Sequence, residues 1–264
     1  MKIAILGTGN LGYSIAIGIL SQDNFKLKNL YLTKRNLESL ESWNKLPNVK
    51  ISNDNKKAVR FSDIVIIAVQ PKQLQGVLEE IKDVVNPKRH TIISVVTGRK
   101  IQEIESVLGN DVSIIRSMPN TAISVGQSMT CLSSNRKGKQ NIESAKTIFN
   151  SVGKTMCIEE KLMQSATVIC ASGIAFWMRL IRATTQGAVQ LGFDAEEAQE
   201  LAVQTCLGAA SLLIKSGNHP EKEIDKVTTP SGCTIEGLNE MEHQGLSSSL
   251  IKGLVTSFEK INQI

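Results

Sequence analysis

The chain has 264 residues, of which 41% are hydrophobic, and a formal net charge of +5. This hydrophobic content is enough for one large or two modest cores, and no apolar run predicts a membrane span. Because aromatic residues make up only 4% and the lysines and arginines are dispersed, the composition argues against nucleic-acid binding and is compatible with small anionic ligands.

The first predicted element is a strand followed by a glycine turn and a helix. Residues 3–6 are apolar, a G-x-G-x-x-G follows at Gly7, Gly9 and Gly12, and an apolar-periodic segment begins there. In this context the glycines permit a tight turn, close approach to a pyrophosphate and close helix–strand packing. The alternative is a turn that merely favours glycine and binds no ligand. The second βα unit that follows favours the dinucleotide-binding interpretation. The residues expected to bind a dinucleotide are Gly7, Thr8, Gly9, Asn10 and Leu11.

The end of the second predicted strand, residues 27–33, indicates which nucleotide is preferred. A cofactor with a free ribose 2′-hydroxyl usually meets an Asp or Glu here. This chain instead has Thr33, Lys34 and Arg35. Hydroxyl and cationic side chains suit a 2′-phosphate, so NADPH is favoured and NADH stays possible. The alternative is that both cations are solvated loop residues.

Alternating strands and helices continue to about residue 158. The pattern predicts a doubly wound, Rossmann-type α/β domain over 1–158, in which ligands bind at the carboxyl ends of the strands. The predicted strands are 49–51, 64–69, 91–96, 112–116, 129–132 and 154–158. The predicted helices are 37–45, 54–61, 71–85, 101–108 and 141–151.

From residue 159 to 264 the sequence predicts only helices. These are expected at 161–191, 194–215, from His219-Pro220 onward, 234–242 and 247–261. Long apolar faces with few aromatics are typical of helices that pack against a second subunit. We therefore expect an all-α dimerisation domain over 159–264.

Cysteine and histidine usage indicates a reducing compartment and no metal site. The five cysteines include no C-x-x-C, so reduced, buried thiols are expected. The three histidines have no partner at metal-ligand spacing. The N-terminus also lacks the layout of a signal peptide, and we expect a cytoplasmic protein.

The most unusual stretch of the helical half is KVTTPSGCTIEGL, residues 226–238. A polar turn precedes a helix expected to start near Thr234, and backbone N–H groups at such a start can bind a carboxylate. The Thr234 hydroxyl can donate and accept a hydrogen bond. Helix capping is the commoner role of such a residue, and composition alone favours it.

This stretch resembles the signature of the pyrroline-5-carboxylate reductase family, whose members reduce a cyclic imine to proline. Further similar motifs are GTGNLG at Gly7, AVQP at Ala68, RSMPNT at Arg116 and ASGIAF at Ala171. The resemblance implies an NADPH-binding domain followed by a helical domain that interlocks in a homodimer, sometimes in a ring of dimers. It implies that Thr234 hydrogen-bonds the substrate as the catalytic residue. The other implied residues are Ser231, Gly232 and Cys233 for the substrate carboxylate, and Asn55, Ala68, Val69, Gln70, Pro71 and Asn120 for the cofactor.

Several residues depart from the family pattern. Gln70 stands where lysine is usual, and Ser231 where a second glycine is usual. The segment 170–175 differs from S-G-S-G-P-A, and Arg182 and Gln186 stand at commonly acidic positions. Two alternatives follow: a reductase of another cyclic imino acid, and a catalytically silent NADP-binding interaction protein.

Overall fold

The computed structural model describes residues 1–21 and 27–261, and these form two compact units. The first is Met1–Ser172 with the end of the chain from Lys260, and the second is Gly173–Glu259. The domain boundary indicated by the sequence, 158/159, lies one residue beyond the last strand, which ends at Cys157, and stays a prediction. The last residues of the predicted second domain, 262–264, lie outside the described part of the chain.

The first unit is built on an eight-stranded sheet in the order β3-β2-β1-β4-β5-β6-β7-β8. Strands β1 to β6 are parallel neighbours, β7 is antiparallel to β6, and β8 is parallel to β7. This order reverses direction at β1, and the predicted doubly wound domain is confirmed. The strands are β1 (Lys2–Leu6), β2 (Asn29–Thr33), β3 (Val49–Ser52), β4 (Ile64–Ile67), β5 (Thr91–Ser94), β6 (Ser113–Met118), β7 (Ser128–Ser134) and β8 (Gly153–Cys157).

The helices of this unit follow the predicted positions with local differences. They are α1 (Asn10–Leu20), α2 (Asn55–Phe61), α3 (Leu74–Ile81), α4 (Ile101–Leu108), α5 (Ile142–Asn150) and α6 (Met163–Ala166). The Asp54 carboxylate caps α2 by accepting from the Lys57 N–H at 2.9 Å. The segment predicted as a helix at 37–45 is instead a 3₁₀-helix, Glu38–Lys45, and Pro71–Gln73 forms a 3₁₀ turn before α3.

The sheet is buried on both faces. One face packs in a cluster that includes Ile3, Ile5 and Ile66, and the other in a cluster that includes Leu6 and Ile67. All four residues of β4 are buried. A continuous apolar run is what a central parallel strand needs, because each buried Ile or Val side chain contributes about 1.5–3 kcal/mol.

The second unit is helical, and no strand occurs among its described residues. Its helices are α7 (Gly173–Gln190), α8 (Ala195–Ser216), α9 (Pro220–Val227), α10 (Cys233–His243) and α11 (Leu246–Ile261). The Asp194 carboxylate caps α8 by accepting from the N–H groups of Glu196 and Glu197. Ahead of α7 the helix winds as a π-helix over 167–172, which the sequence does not indicate.

One long helix differs from the expectation that no segment reaches the length of a membrane span. Residues 160–190 are long and apolar enough for this by length and composition alone, and 22% of the relevant window is buried inside the structure. A helix whose apolar face is covered by a second protein chain meets the same criteria of length and composition.

Candidate functional site

A cavity of about 890 Å³ opens at the carboxyl ends of β1, β2 and β4. This is the position at which an open parallel sheet binds its ligand. Ten of the predicted cofactor residues line the cavity: Gly7, Thr8, Gly9, Thr33, Lys34, Arg35, Asn55, Ala68, Val69 and Gln70.

The glycine turn between β1 and α1 is closely packed on one side and open on the other. Gly7 has φ +92°, and a Cβ there would lie 2.5 Å from Val69 Cγ1. A Cβ on Gly9 would meet no atom within 4 Å, so the backbone at Gly9 faces open space. A Cβ on Gly12 would lie 2.5 Å from the Gly7 carbonyl oxygen. Only glycine therefore allows this turn, and the open side at Gly9 is where a pyrophosphate can approach.

The donors available to a phosphate are those of α1. The Gly7 and Thr8 N–H groups donate to the Thr33 carbonyl at 3.2 and 2.8 Å, and the Gly9 N–H donates to the Gly7 carbonyl at 2.9 Å. Within the described residues, the N–H groups of Asn10 and Leu11 have no partner. These two residues do not line the cavity, but they begin α1, whose first-turn N–H groups and dipole favour an anion.

The end of β2 carries two cations. Lys34 is half-buried and donates to the Ser39 hydroxyl at 2.7 Å, while Arg35 is exposed. Arg35 makes no ion pair or side-chain hydrogen bond in the part of the chain that the structure describes. Both side chains line the cavity, and they give the part of it at the end of β2 two cations. That charge suits a 2′-phosphate better than a free 2′-hydroxyl.

Three other side chains join at the same end of the cavity. The Thr33 hydroxyl donates to Asn55 Oδ1 at 2.6 Å, and Asn55 Nδ2 donates to Glu80 Oε2 at 2.8 Å. Asn55 is the first residue of α2, and Glu80 lies near the end of α3. Sequence reasoning missed Glu80, because a glutamate on an amphipathic helix ordinarily faces solvent. The other lining residues that it did not include among the predicted site are Asn36, Asn53, Lys72, Gln73, Gly76 and Val77.

Pro71 and Asn120 do not line the cavity. Pro71 begins the 3₁₀ turn after β4. Asn120 is 6% exposed, and both ends of its amide are engaged: Oδ1 accepts from the Ala122 N–H at 3.0 Å, and Nδ2 donates to the Cys170 carbonyl at 2.9 Å. Asn120 thus links the loop after β6 to the π-helix, and direct cofactor contact stays a prediction.

Cys131 and Cys170 pack in one cluster with Met118 and Met163, beside this link. The hydrogen bond from Cys131 lowers the pKa of the Cys170 thiol to about 7, against an opposing effect of burial. The same bond, with burial, raises the pKa of Cys131. All five cysteines of the chain are free thiols, but Cys157 and Cys233 are exposed, so the expectation of buried thiols is wrong for these two. Among the described residues no group of three or more His, Cys, Asp or Glu side chains could hold a metal ion.

The predicted substrate residues lie together in the second unit. Gly232 precedes α10, which begins at Cys233 rather than at Thr234, and the Gly232 N–H donates to the Thr229 carbonyl at 2.9 Å. Thr234 is half-buried in the first turn of α10. Its hydroxyl makes no hydrogen bond within the described ranges, so it does not cap the helix. The turn thus offers a hydroxyl and first-turn N–H groups to a ligand.

Comparison with known proteins identifies the family. Residues 160–264 match the family described as pyrroline-5-carboxylate reductase dimerisation, and residues 2–98 match NADP oxidoreductase, coenzyme F420-dependent. Pyrroline-5-carboxylate reductase 2 of Dictyostelium discoideum is 45% identical over 274 residues, which cover 98% of this chain and 91% of that protein. This chain belongs to the pyrroline-5-carboxylate reductase family.

The match covers different shares of two further members of the family. Pyrroline-5-carboxylate reductase 1 of Dictyostelium discoideum is 48% identical over 270 residues, but the chain covers 49% of it, about half its length. The crystal structure of Plasmodium falciparum pyrroline carboxylate reductase with NADP bound has a TM-score of 0.88 at 26% identity, and the match covers 100% of this chain and 97% of that one. The resemblance seen in the sequence motifs is therefore confirmed along the whole chain.

Proposed function

We propose that this protein reduces the cyclic imine 1-pyrroline-5-carboxylate to L-proline with NADPH. The observation that carries the proposal is the glycine-turn cavity at the sheet edge in a chain of this family. The site residues and their roles below are part of the proposal.

The residues at the sheet edge fit a nicotinamide dinucleotide phosphate. Bound NADPH supplies a hydride from its nicotinamide ring. The first-turn N–H groups of Asn10 and Leu11 hold the pyrophosphate, and the open backbone at Gly9 allows its approach. Lys34 and Arg35 bind the 2′-phosphate and set the preference over NADH. These contacts position the cofactor, which is the main contribution that such a reaction needs from the protein.

The signature turn of the second unit supplies the substrate contacts. A protonated imine is already electrophilic, so no dedicated acid is required to activate it. The Thr234 hydroxyl oxygen accepts a hydrogen bond from the imine N–H and so orients the ring. The N–H groups around Ser231, Gly232 and Cys233 bind the substrate carboxylate. This role is supported by the hydroxyl of Thr234, which has no partner within the described residues.

The second unit also mediates homodimer formation. Its helices expose large apolar side chains, among them Trp177 at 59%, Met178 at 62% and Ile214 at 70% exposure. A second subunit would cover such faces, as it would the long apolar helix 160–190. A ring of dimers is the finer form of this proposal, and light scattering of the purified protein distinguishes the two. A soluble, cytoplasmic location is proposed from the five free thiols and is tested by fractionation of cells.

The activity is tested by following NADPH oxidation with pyrroline-5-carboxylate. We expect turnover of this substrate, and the rate with NADPH should exceed the rate with NADH at equal concentration. A panel of cyclic imines distinguishes a reductase of another imino acid, and the departures at 170–175 and Arg182 make this panel necessary. Binding of NADPH without its oxidation on every imine would overturn the enzymatic proposal.

The role of Thr234 is tested by Thr234→Val, which removes the hydroxyl and keeps the shape. We expect unchanged NADPH affinity and at least tenfold lower turnover, equivalent to about 1.4 kcal/mol of barrier. The matched control is Thr147→Val on α5, whose hydroxyl donates to the Glu143 carbonyl. Wild-type turnover in Thr234→Val would refute the role.

A further inference from the structure

A chain of hydrogen bonds connects the glycine turn to α3 through the end of β2. The Gly7 N–H donates to the Thr33 hydroxyl oxygen at 3.4 Å, in addition to its bond to the Thr33 carbonyl. The same hydroxyl donates to Asn55 Oδ1 at 2.6 Å, and Asn55 Nδ2 donates to Glu80 Oε2 at 2.8 Å. All four residues line the cavity of the glycine turn.

The chemistry of Glu80 fixes the direction of every bond in this chain. An ionised carboxylate only accepts hydrogen bonds, whereas an asparagine amide has one accepting and one donating end. Asn55 must therefore turn Nδ2 toward Glu80 and Oδ1 toward Thr33. Thr33 then has to donate to Oδ1, which leaves its oxygen lone pairs for the Gly7 N–H. Without the carboxylate the amide could rotate by 180°, and the whole chain would lose its direction.

We propose that Glu80 is a positioning residue for the dinucleotide, which orients the Asn55 amide and, through Thr33, the Gly7 turn. This inference rests on the proposed function, because it concerns binding of NADP(H). Glu80, Asn55, Thr33 and Gly7 are called the Glu80 relay below. Its effect is to present a fixed donor, the second N–H of Asn55, and a fixed turn backbone in the cavity.

The burial and contacts of Glu80 distinguish it from the neighbouring glutamate of α3. Glu80 is half-buried, whereas the adjacent Glu79 is exposed and pairs with Lys82 at 2.7 Å. Glu79 does not line the cavity. A negative charge beside a phosphate-binding turn would by itself oppose an anionic ligand. Its hydrogen bond to Asn55 supplies the reason for a carboxylate at this position.

The test is direct titration of NADP⁺ and NAD⁺ into the purified wild-type protein and Glu80→Gln, with calorimetry as the readout. The glutamine keeps the shape but can donate or accept, so the Asn55 amide is no longer oriented. We expect the Kd for NADP⁺ to rise by about fivefold, which corresponds to the usual net contribution of one hydrogen bond. The Kd for NAD⁺ should rise by the same factor, because the relay ends at the turn that binds the shared pyrophosphate.

A double-mutant cycle with Asn55→Ala separates positioning from a general structural effect. In the Asn55→Ala background, Glu80→Gln should change the Kd by less than twofold, since the amide it orients is gone. The control Glu79→Gln should leave both Kd values unchanged. Thermal denaturation of the unliganded variants checks that Glu80→Gln folds as the wild type does.

Three results would overturn the relay. They are an unchanged or tighter NADP⁺ Kd in Glu80→Gln, a loss confined to NADP⁺, and a full fivefold loss retained in the Asn55→Ala background. A tighter Kd would mean that the carboxylate acts by repulsion of the phosphates. Because these titrations use no imine, a wild-type protein that binds NADP⁺ but reduces no substrate would overturn the proposed function and leave the relay standing.

Discussion

The third glycine of the turn allows a quantitative test of how α1 is held against β1. In Gly12→Ala the new Cβ would lie 2.5 Å from the Gly7 carbonyl oxygen, about 0.9 Å short of the 3.4 Å at which an ordinary contact begins, and 3.3 Å from Ile5 Cγ2. The conflict is with backbone, so no side-chain rotation relieves it. Overpacking of this kind costs about 1–3 kcal/mol. Alanine recovers about 1 kcal/mol by its helix propensity.

The net expectation is a loss of free energy of unfolding of up to about 2 kcal/mol, and the full loss would lower Tm by about 4–8 °C in a chain of this size. The start of α1 must also move away from the Gly7 turn, and its N–H groups with it. Loss of one charge-assisted hydrogen bond to the pyrophosphate, about 1.5–3 kcal/mol, would weaken NADPH binding by at least tenfold. Calorimetric unfolding and NADPH fluorescence titration measure the two effects.

The stability control is Gly76→Ala on α3. A Cβ there meets nothing within 4 Å, so only the propensity gain of about 1 kcal/mol is expected and Tm should rise. If Gly12→Ala melted at or above the wild-type temperature and bound NADPH equally well, the close packing of α1 on the turn would be refuted.

Two further predictions concern titrating side chains. Because the pKa of Cys170 is about 7, its alkylation by iodoacetamide, followed by peptide mass spectrometry, should reach half its maximal rate near pH 7. Cys131→Ala should move that midpoint upward by removing the neighbouring thiol that lowers the pKa of Cys170, and an unmoved midpoint would contradict that cause. Hydrogen bonds from Asn218 and Lys226 lower the pKa of Glu223 from 4.5 to about 2, so their stabilising effect should be present above about pH 4.5 and lost as the pH falls toward 2. Asn218→Ala should raise this pKa in a carbon-detected NMR titration, and the same midpoint in both proteins would count against the assignment.

The sequence was sufficient where one local signal determined the structure. The continuous β-branched run predicted a doubly buried strand at 64–69, which the structure has at Ile64–Ile67, and Asp54 and Asp194 each precede a helix that they cap. These features depend on short-range chemistry, such as β-branched burial and an oxygen acceptor for a first-turn N–H. They needed no knowledge of the tertiary structure.

The segment Glu38–Lys45 shows a local ambiguity. Its two buried residues, Leu40 and Trp43, are three apart, and this spacing serves an α-helix and a 3₁₀-helix equally. The Trp43 ring lies 4.9 Å from that of Tyr13, between ring centroids. The sequence pattern does not predict this tertiary contact or the packing of Leu40 and Trp43 in the core.

Glu80 and Asn120 show why part of the site could not be predicted. Glu80 is an unremarkable glutamate of α3 until the fold brings Asn55, 25 residues earlier, within 2.8 Å. The role predicted for Asn120 beside the cofactor stays a prediction, and the bonds of its amide to Ala122 and to Cys170, which is 50 residues away, are likewise set by the fold. Which polar side chains face a cavity and which bond to the protein depends on long-range pairing.

The serine in the signature turn gives a physical meaning to one departure from the family pattern. Ser231 is the only residue other than glycine with positive φ among the described residues, at 57°. Glycine adopts this left-handed conformation readily, whereas another L-residue does so at about 1–2 kcal/mol. A glycine at this position is thus explained by the backbone alone, without reference to the substrate. Ser231 adopts this conformation in the turn that precedes α10 and bears the strain, so the backbone accounts for this position without reference to a different imine.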